Sequence, residues 1–258
     1  DYRYSIARRR LHFKSQTRIW GYNPAKSVKV EDPVQGDRGV DHASALSGDR
    51  AWIRQAENNV LSRLEKAGVL APAGDVDKVL QTVVTNLVIT NDLSFTPEIR
   101  CRVLLTSPLE SFAVGNTIVL SRGLIDVLPD EASLAMVLAH ELAHISLGHH
   151  VDTKYAFNDR MLFDDLETLR RLKIEMTKEE ELTADLKAME FLHNSPYRDK
   201  LGNAGLFLRA LDDRAQQLPN LLKAHLGTGF ARDKRVQRMP ELIQGAPQLE
   251  VSRLDQVA

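Results

Sequence analysis

The sequence holds one cysteine, Cys101, in 258 residues. A lone thiol forms neither an internal disulfide nor a cysteine zinc cluster, so any metal must be held by His and carboxylates. Long apolar runs are missing as well. The longest, near Val79–Ile89 and Leu134–Ala139, are short or interrupted, well below the ~18 residues that mark a membrane-spanning helix. Charge of one sign is not in excess: 34 Lys+Arg stand against 35 Asp+Glu, a net charge of −1. That balance gives no global field toward nucleic acid or an acidic membrane, and no nucleic-acid partner is expected. There is no internal repeat and no low-complexity tract. What remains is an ordinary folded composition, 43% hydrophobic and 27% charged, long enough for one or two domains with a real core.

The first 45 or so residues carry nine Lys/Arg against five acids, including Arg8-Arg9-Arg10. Their aromatics (Tyr2, Tyr4, Phe13, Trp20, Tyr22) follow no helical or strand period, and no secretory signal is visible. Residues 1–48 therefore read as an irregular basic arm, 49–245 as the main domain and 246–258 as a tail. From Asp49, Trp52, Ile53, Ala56, Val60, Leu61 and Leu64 recur at three- and four-residue steps up to Gly68, which predicts an amphipathic helix. Asp75 is expected to cap a second helix through about Ile89. Ile99 to Leu105 reads as a strand between Pro97 and Pro108. Phe112 to Leu120 reads as a hairpin turning on Gly115-Asn116. A short helix is expected near Leu124–Leu128. Asp130 should cap an apolar helix, Glu131 to Leu147, that stops at Gly148. Residues 159–193 and about Leu201–Leu218 are expected to be helical. The pattern predicts an α+β domain, mainly helical, with one small sheet.

The chemistry concentrates in residues 138–150, LAHELAHISLGHH. His140-Glu141-Leu142-Ala143-His144 is an HExxH. Two His four apart on a helix project from one face and can reach one zinc at about 2.0–2.1 Å. Glu141 leans over the same metal, placed to take a proton from water upon it. The rest of that helix is apolar, so burying one Glu and two His there is costly without a metal. Glu181 and Asp185, four apart on a later predicted helix, share a face. Glu181 can serve as a third ligand, leaving a fourth position open for water, while Asp185 accepts the free ring N–H of a ligand His.

HELAH followed by Glu181-x-x-Ala184-Asp185 resembles the M48 family of zinc metallopeptidases. The upstream strand Arg100–Leu105, Ser111-Phe112-Ala113, Thr117–Leu120 and Ser121-Arg122-Gly123-Leu124 are similar too, over about residues 50–240. The resemblance implies a zincin-type (gluzincin) peptidase domain with a small sheet edging the cleft, and one Zn2+ per chain. The implied ligands are His140, His144 and Glu181, with Glu141 as base and Asp185 behind a ligand. An extended polypeptide substrate would add to a sheet edge at Phe112, Ala113 and Val114. A soluble member of this kind implies an exported, bacterial periplasmic or lipoprotein location in preference to the cytoplasm, which stays the alternative, with any lipid anchor outside this chain. A role in protein quality control follows from a preference for misfolded substrates.

Two departures stand out. Glu110-Ser111-Phe112-Ala113 replaces the family's frequent Asn-Ala-Phe-Ala. The family's Thr-His-Pro segment, whose His and Arg assist the oxyanion, here reads Thr228-Gly229-Phe230 and keeps only Arg235 in register; His225 is a candidate substitute. Losing one such donor costs roughly 10²–10³ in rate. This keeps open a zinc-bound chaperone-like protein or a latent enzyme, in which the charged stretch before Glu181 or the basic N-terminal arm covers the cleft and His149 or His150 takes the open position. A metzincin reading, HExxHxxGxxH with His150 as third ligand, needs Gly at 147; Leu147 stands there and Gly148 is one late.

Overall fold

The computed structural model describes residues 38–155 and 172–214, together with 226, 228, 229, 239 and 242; side chains are described from 48 onward, excepting 228 and 229. Contacts divide the chain into Asp1–Leu46 and Ser47–Ala258. In the first unit the described residues, 38–46, are helical. The sheet, the later helices and the candidate site belong to the second.

Helix α1 spans Arg38–Lys66, so it begins well before Asp49, inside the stretch read as an irregular arm. Ala43, Ala45 and Leu46 are good helix formers, and one interior glycine, Gly48, costs only about 1 kcal/mol. Helix α2 spans Asp75–Thr90, and its N-cap is Gly74 rather than Asp75. Asp77 Oδ2 accepts the Gly74 N–H at 2.6 Å, while Asp75, already inside the helix, pairs with Lys78.

Strands β1 (Arg100–Leu104), β2 (Glu110–Val114) and β3 (Thr117–Ser121) follow. Gly115 takes a φ of +54° at the β2–β3 turn, which a residue with a β-carbon adopts only under strain. β3 pairs antiparallel with β2 and parallel with β1. A short fourth strand, β4 (Thr228–Gly229), pairs antiparallel with Glu110 and Ser111, giving the order β1-β3-β2-β4. The expected open edge of β2 is therefore already paired at its first two residues. Among the described residues, no strand pairs with Phe112–Val114 on that side.

Side chains alternate across the sheet with the two-residue period of strands. Phe112, Val114 and Val119 pack with Ala56, Val60 and Leu64 of α1. Cys101, Val103, Ile118 and Leu120 face the other way, into the main core with Leu80, Val84 and Leu87 of α2. Ser121 caps helix α3, Arg122–Val127, by accepting the Leu124 N–H. Helix α4, Glu131–Ser146, starts at Asp130, whose Oδ1 accepts the Ser133 N–H at 2.8 Å. Residues 132–144 of α4 are all buried, as befits a helix apolar on every side. It lies between β2 and helices α2, α5 and α6.

Helix α5 spans Lys178–His193 and α6 spans Leu201–Arg214. Residues 172–177, read as helical, are not: α5 starts only at Thr177, whose hydroxyl accepts the Glu180 N–H while Glu180 accepts the Thr177 N–H. This reciprocal cap fixes the helix start. Residues 156–171, 215–218 and the 246–258 tail lie outside the described residues.

Candidate metal centre and active site

Helix α4 brings His140 and His144 to one face, one turn apart, with their Nε2 atoms 3.0 Å from each other. Helix α5 packs along α4 and supplies the matching face. Glu181 sets its oxygens 3.3 Å from His140 Nε2 and 3.9 Å from His144 Nε2. One turn further, Asp185 Oδ1 lies 2.8 Å from His140 Nδ1. An ionised carboxylate only accepts, so Nδ1 of His140 carries the hydrogen and its Nε2 lone pair faces Glu181.

These residues fit a metal ion. One ligand atom from each of His140, His144 and Glu181 lies within 4.8 Å of the others, and all three side chains are buried. Nitrogen and carboxylate donors converging in a buried space are costly to assemble unless a cation sits among them. The N/N/O set matches zinc, and 3.0 Å is near the roughly 3.3 Å that two bonds of about 2.0–2.1 Å impose at a tetrahedral centre.

Glu141 is buried beside this cluster, and its Oε1 accepts the hydroxyl of Ser111 at 2.6 Å. Ser111 and Ala113 point from β2 toward α4, opposite to Phe112 and Val114. The cleft is lined by Ser111, Phe112, Ala113, Glu141, Ile174 and Met176 beside the ligand cluster. Ile174 is held by its backbone N–H to the Leu226 carbonyl. Neighbouring Lys173 is held through its N–H and carbonyl by the Tyr155 hydroxyl.

The two following histidines part company. His149 turns back, its Nδ1 2.9 Å from Nδ1 of His144. Burial holds its imidazole below the usual histidine range, against the opposite pull of Glu180 and Glu181. His150 points to Glu57 of α1, with Nδ1 3.3 Å from Oε1. It is not among the clustered donors, which corrects the metzincin alternative: Gly148, one residue late, sends the second histidine outward. Gly229 lies in β4 opposite Glu110. Arg235 and His225 lie outside the described residues.

Sequence reasoning missed several contributors. Ser111 enters the sequence reading only within Glu110-Ser111-Phe112-Ala113, just ahead of the expected hairpin, although the two-residue period puts it on the α4 side. Ile174 and Met176 fell in a segment read as helix. Glu110 is fully buried, accepting the Thr106 hydroxyl at 3.0 Å and the Leu226 N–H at 2.8 Å, and so ties the start of β2 to the chain leading into β4.

A mainly helical domain in which an HExxH helix lies beside a small sheet, with a carboxylate brought in by a later helix, is a zincin-type peptidase fold. Residues 75–162 match the profile of Peptidase family M48, which supports an M48-type metallopeptidase. The match runs from α2 through the HExxH; Glu181 and Asp185 lie beyond it. No curated protein matches the chain. Among the described residues, no helix is long and apolar enough to cross a membrane.

Proposed function

We propose that the protein is a zinc-dependent metalloendopeptidase that cleaves extended or misfolded polypeptides. The observation that carries this reading is the convergence of His140, His144 and Glu181 next to Glu141, in a cleft walled by β2. His140, His144 and Glu181 hold the metal. A zinc ion bound there supplies Lewis acidity to water and to the scissile carbonyl.

The chain's own residues do the rest. On the edge of β2 that faces away from β3, where no strand among the described residues pairs with Phe112–Val114, the backbone pairs with an extended substrate as an added strand. Backbone pairing discriminates weakly among sequences and requires an unfolded stretch, which favours misfolded chains. Ile174 and Met176 offer an apolar wall to a substrate side chain. Glu141 takes a proton from the attacking water and returns it to the departing amine. Ser111 holds Glu141 toward the cleft while it waits. Asp185 keeps His140 in the tautomer whose Nε2 faces inward.

The test compares zinc-loaded and chelated protein on folded and unfolded forms of one substrate, with fragments identified by mass spectrometry. Internal cleavage of the unfolded form, abolished by chelation and restored by zinc, is expected. Stoichiometric zinc without cleavage would overturn the peptidase reading in favour of a zinc-bound chaperone-like protein. Absence of zinc binding would overturn both.

A further inference from the structure

Each of the paired histidines uses its outer nitrogen. Nδ1 of His140 faces Asp185, and Nδ1 of His144 faces His149. The second contact is built by the end of α4. Leu147 is still right-handed, Gly148 takes a φ of +72°, and two hydrogen bonds close the helix: Gly148 N–H to the Ile145 carbonyl at 3.1 Å and His149 N–H to the His144 carbonyl at 3.0 Å. This is the Schellman arrangement, which needs a left-handed residue at the position of Gly148. Its second bond ties His149 to the residue whose ring it touches. The His149 ring is thus held twice against His144, through the backbone and through Nδ1, with ring centroids 5.1 Å apart.

We infer that His149 is a positioning residue for His144: its neutral imidazole accepts the Nδ1 hydrogen of His144 and so fixes that ring with Nε2 toward the metal. This rests on the reading that His140, His144 and Glu181 hold zinc. The alternative role, in which His149 closes the open metal position, needs its ring among the inward-facing donors. In this structure it touches the opposite edge of His144.

Charge explains why a neutral acceptor suits this place. Glu181 and Asp185 together carry two negative charges, matching one divalent cation. A carboxylate at position 149 would add another negative charge to a cluster that already has Glu141 beside it, and like charges so close repel one another. An imidazole with its hydrogen on Nε2 fixes the tautomer of His144 without that addition. The two ligand histidines are therefore backed unequally, His140 by an anion and His144 by a neutral ring.

The test is the zinc dissociation constant, measured by competition with a chelating fluorophore, for wild type, His149→Ala, His149→Asn and His144→Ala. Circular dichroism and thermal unfolding of the metal-free proteins are recorded alongside. Asn places Oδ1 where His has Nδ1 and can accept the same hydrogen. His149→Ala is expected to weaken zinc binding roughly 10–100-fold, the usual effect of removing a ligand's partner, and His149→Asn to recover most of the loss. Wild-type affinity in His149→Ala, with zinc lost in His144→Ala, would overturn the inference and leave the metal site standing. Equal weakening in both His149 variants would also overturn it, since packing and not the acceptor would then matter. Unchanged binding in His144→Ala would instead overturn the metal site itself.

Discussion

Ser111 on β2 donates its hydroxyl hydrogen to Glu141 on α4 across 2.6 Å, with both side chains buried. In the proposed mechanism the contact joins the strand that would take substrate with the carboxylate that would move the proton. A shift of the strand is thereby felt at the base, and the base has one preferred place when substrate arrives.

Ser111→Ala removes that restraint without touching a metal ligand. We expect kcat to fall roughly 10–100-fold, within the range a positioned base contributes and a misplacement of about 1 Å costs. KM and zinc content should change little. Steady-state kinetics with metal analysis checks this; a rise in KM at constant kcat would assign Ser111 to binding instead.

Asp185→Ala should weaken zinc binding by about 10–100-fold through His140 alone, because Asp185 lies behind Nδ1 and not among the inward donors. Competition titration reads the effect. Affinity equal to wild type would show that the 2.8 Å contact does not steer the ligand.

Thr177→Ala removes the cap of the helix that carries Glu181 and Asp185, and should cost about 1 kcal/mol in denaturant unfolding at pH 7. Partial burial works against ionisation of Glu180, but the Thr177 N–H and hydroxyl outweigh it and hold the carboxyl below its ordinary 4.5. A depressed folded value means the contribution is fully present above about pH 4.5 and is lost as pH falls through the folded value. The difference between Thr177→Ala and wild type should therefore shrink toward pH 3. A constant difference would mean that Glu180 takes no part in the cap.

Cys101 is buried in β1, and burial, with Asp77 adding to it, pushes its thiol up to about 12. At pH 8 the thiolate fraction is then on the order of 10⁻⁴, and the thiolate is the reactive form. A disulfide-exchange reagent should label the native protein very slowly and the unfolded protein at once. Rapid native labelling would place Cys101 in an open site.

What the sequence made legible was local. Asp130 and Gly148 bracket α4, the four-residue step places His140 and His144 together, and Gly115-Asn116 marks the hairpin. Glu181 and Asp185 could be named because they share a helix face, but their partner atoms depend on how α5 lies against α4. The start of α5 was written in Thr177-x-x-Glu180 and was obscured by the charged run before it. β4 had no signal: two residues join the sheet by backbone pairing, which leaves no side-chain period. The link from Ser111 to Glu141 exists only once β2 is packed on α4. The separate fates of His149 and His150 turn on Gly148 standing one position later than a third-histidine motif needs.

The most direct measurement is the initial rate of unfolded-casein hydrolysis by wild type and Glu141→Gln at equal, stoichiometric zinc. The side chains keep the same size, so the substitution removes the base and leaves His140, His144 and Glu181 in place. The rate should fall by about 10²–10⁴, the usual worth of a positioned general base, with zinc content unchanged. Equal rates in the two proteins would contradict the assignment of Glu141 and the peptidase chemistry built on it.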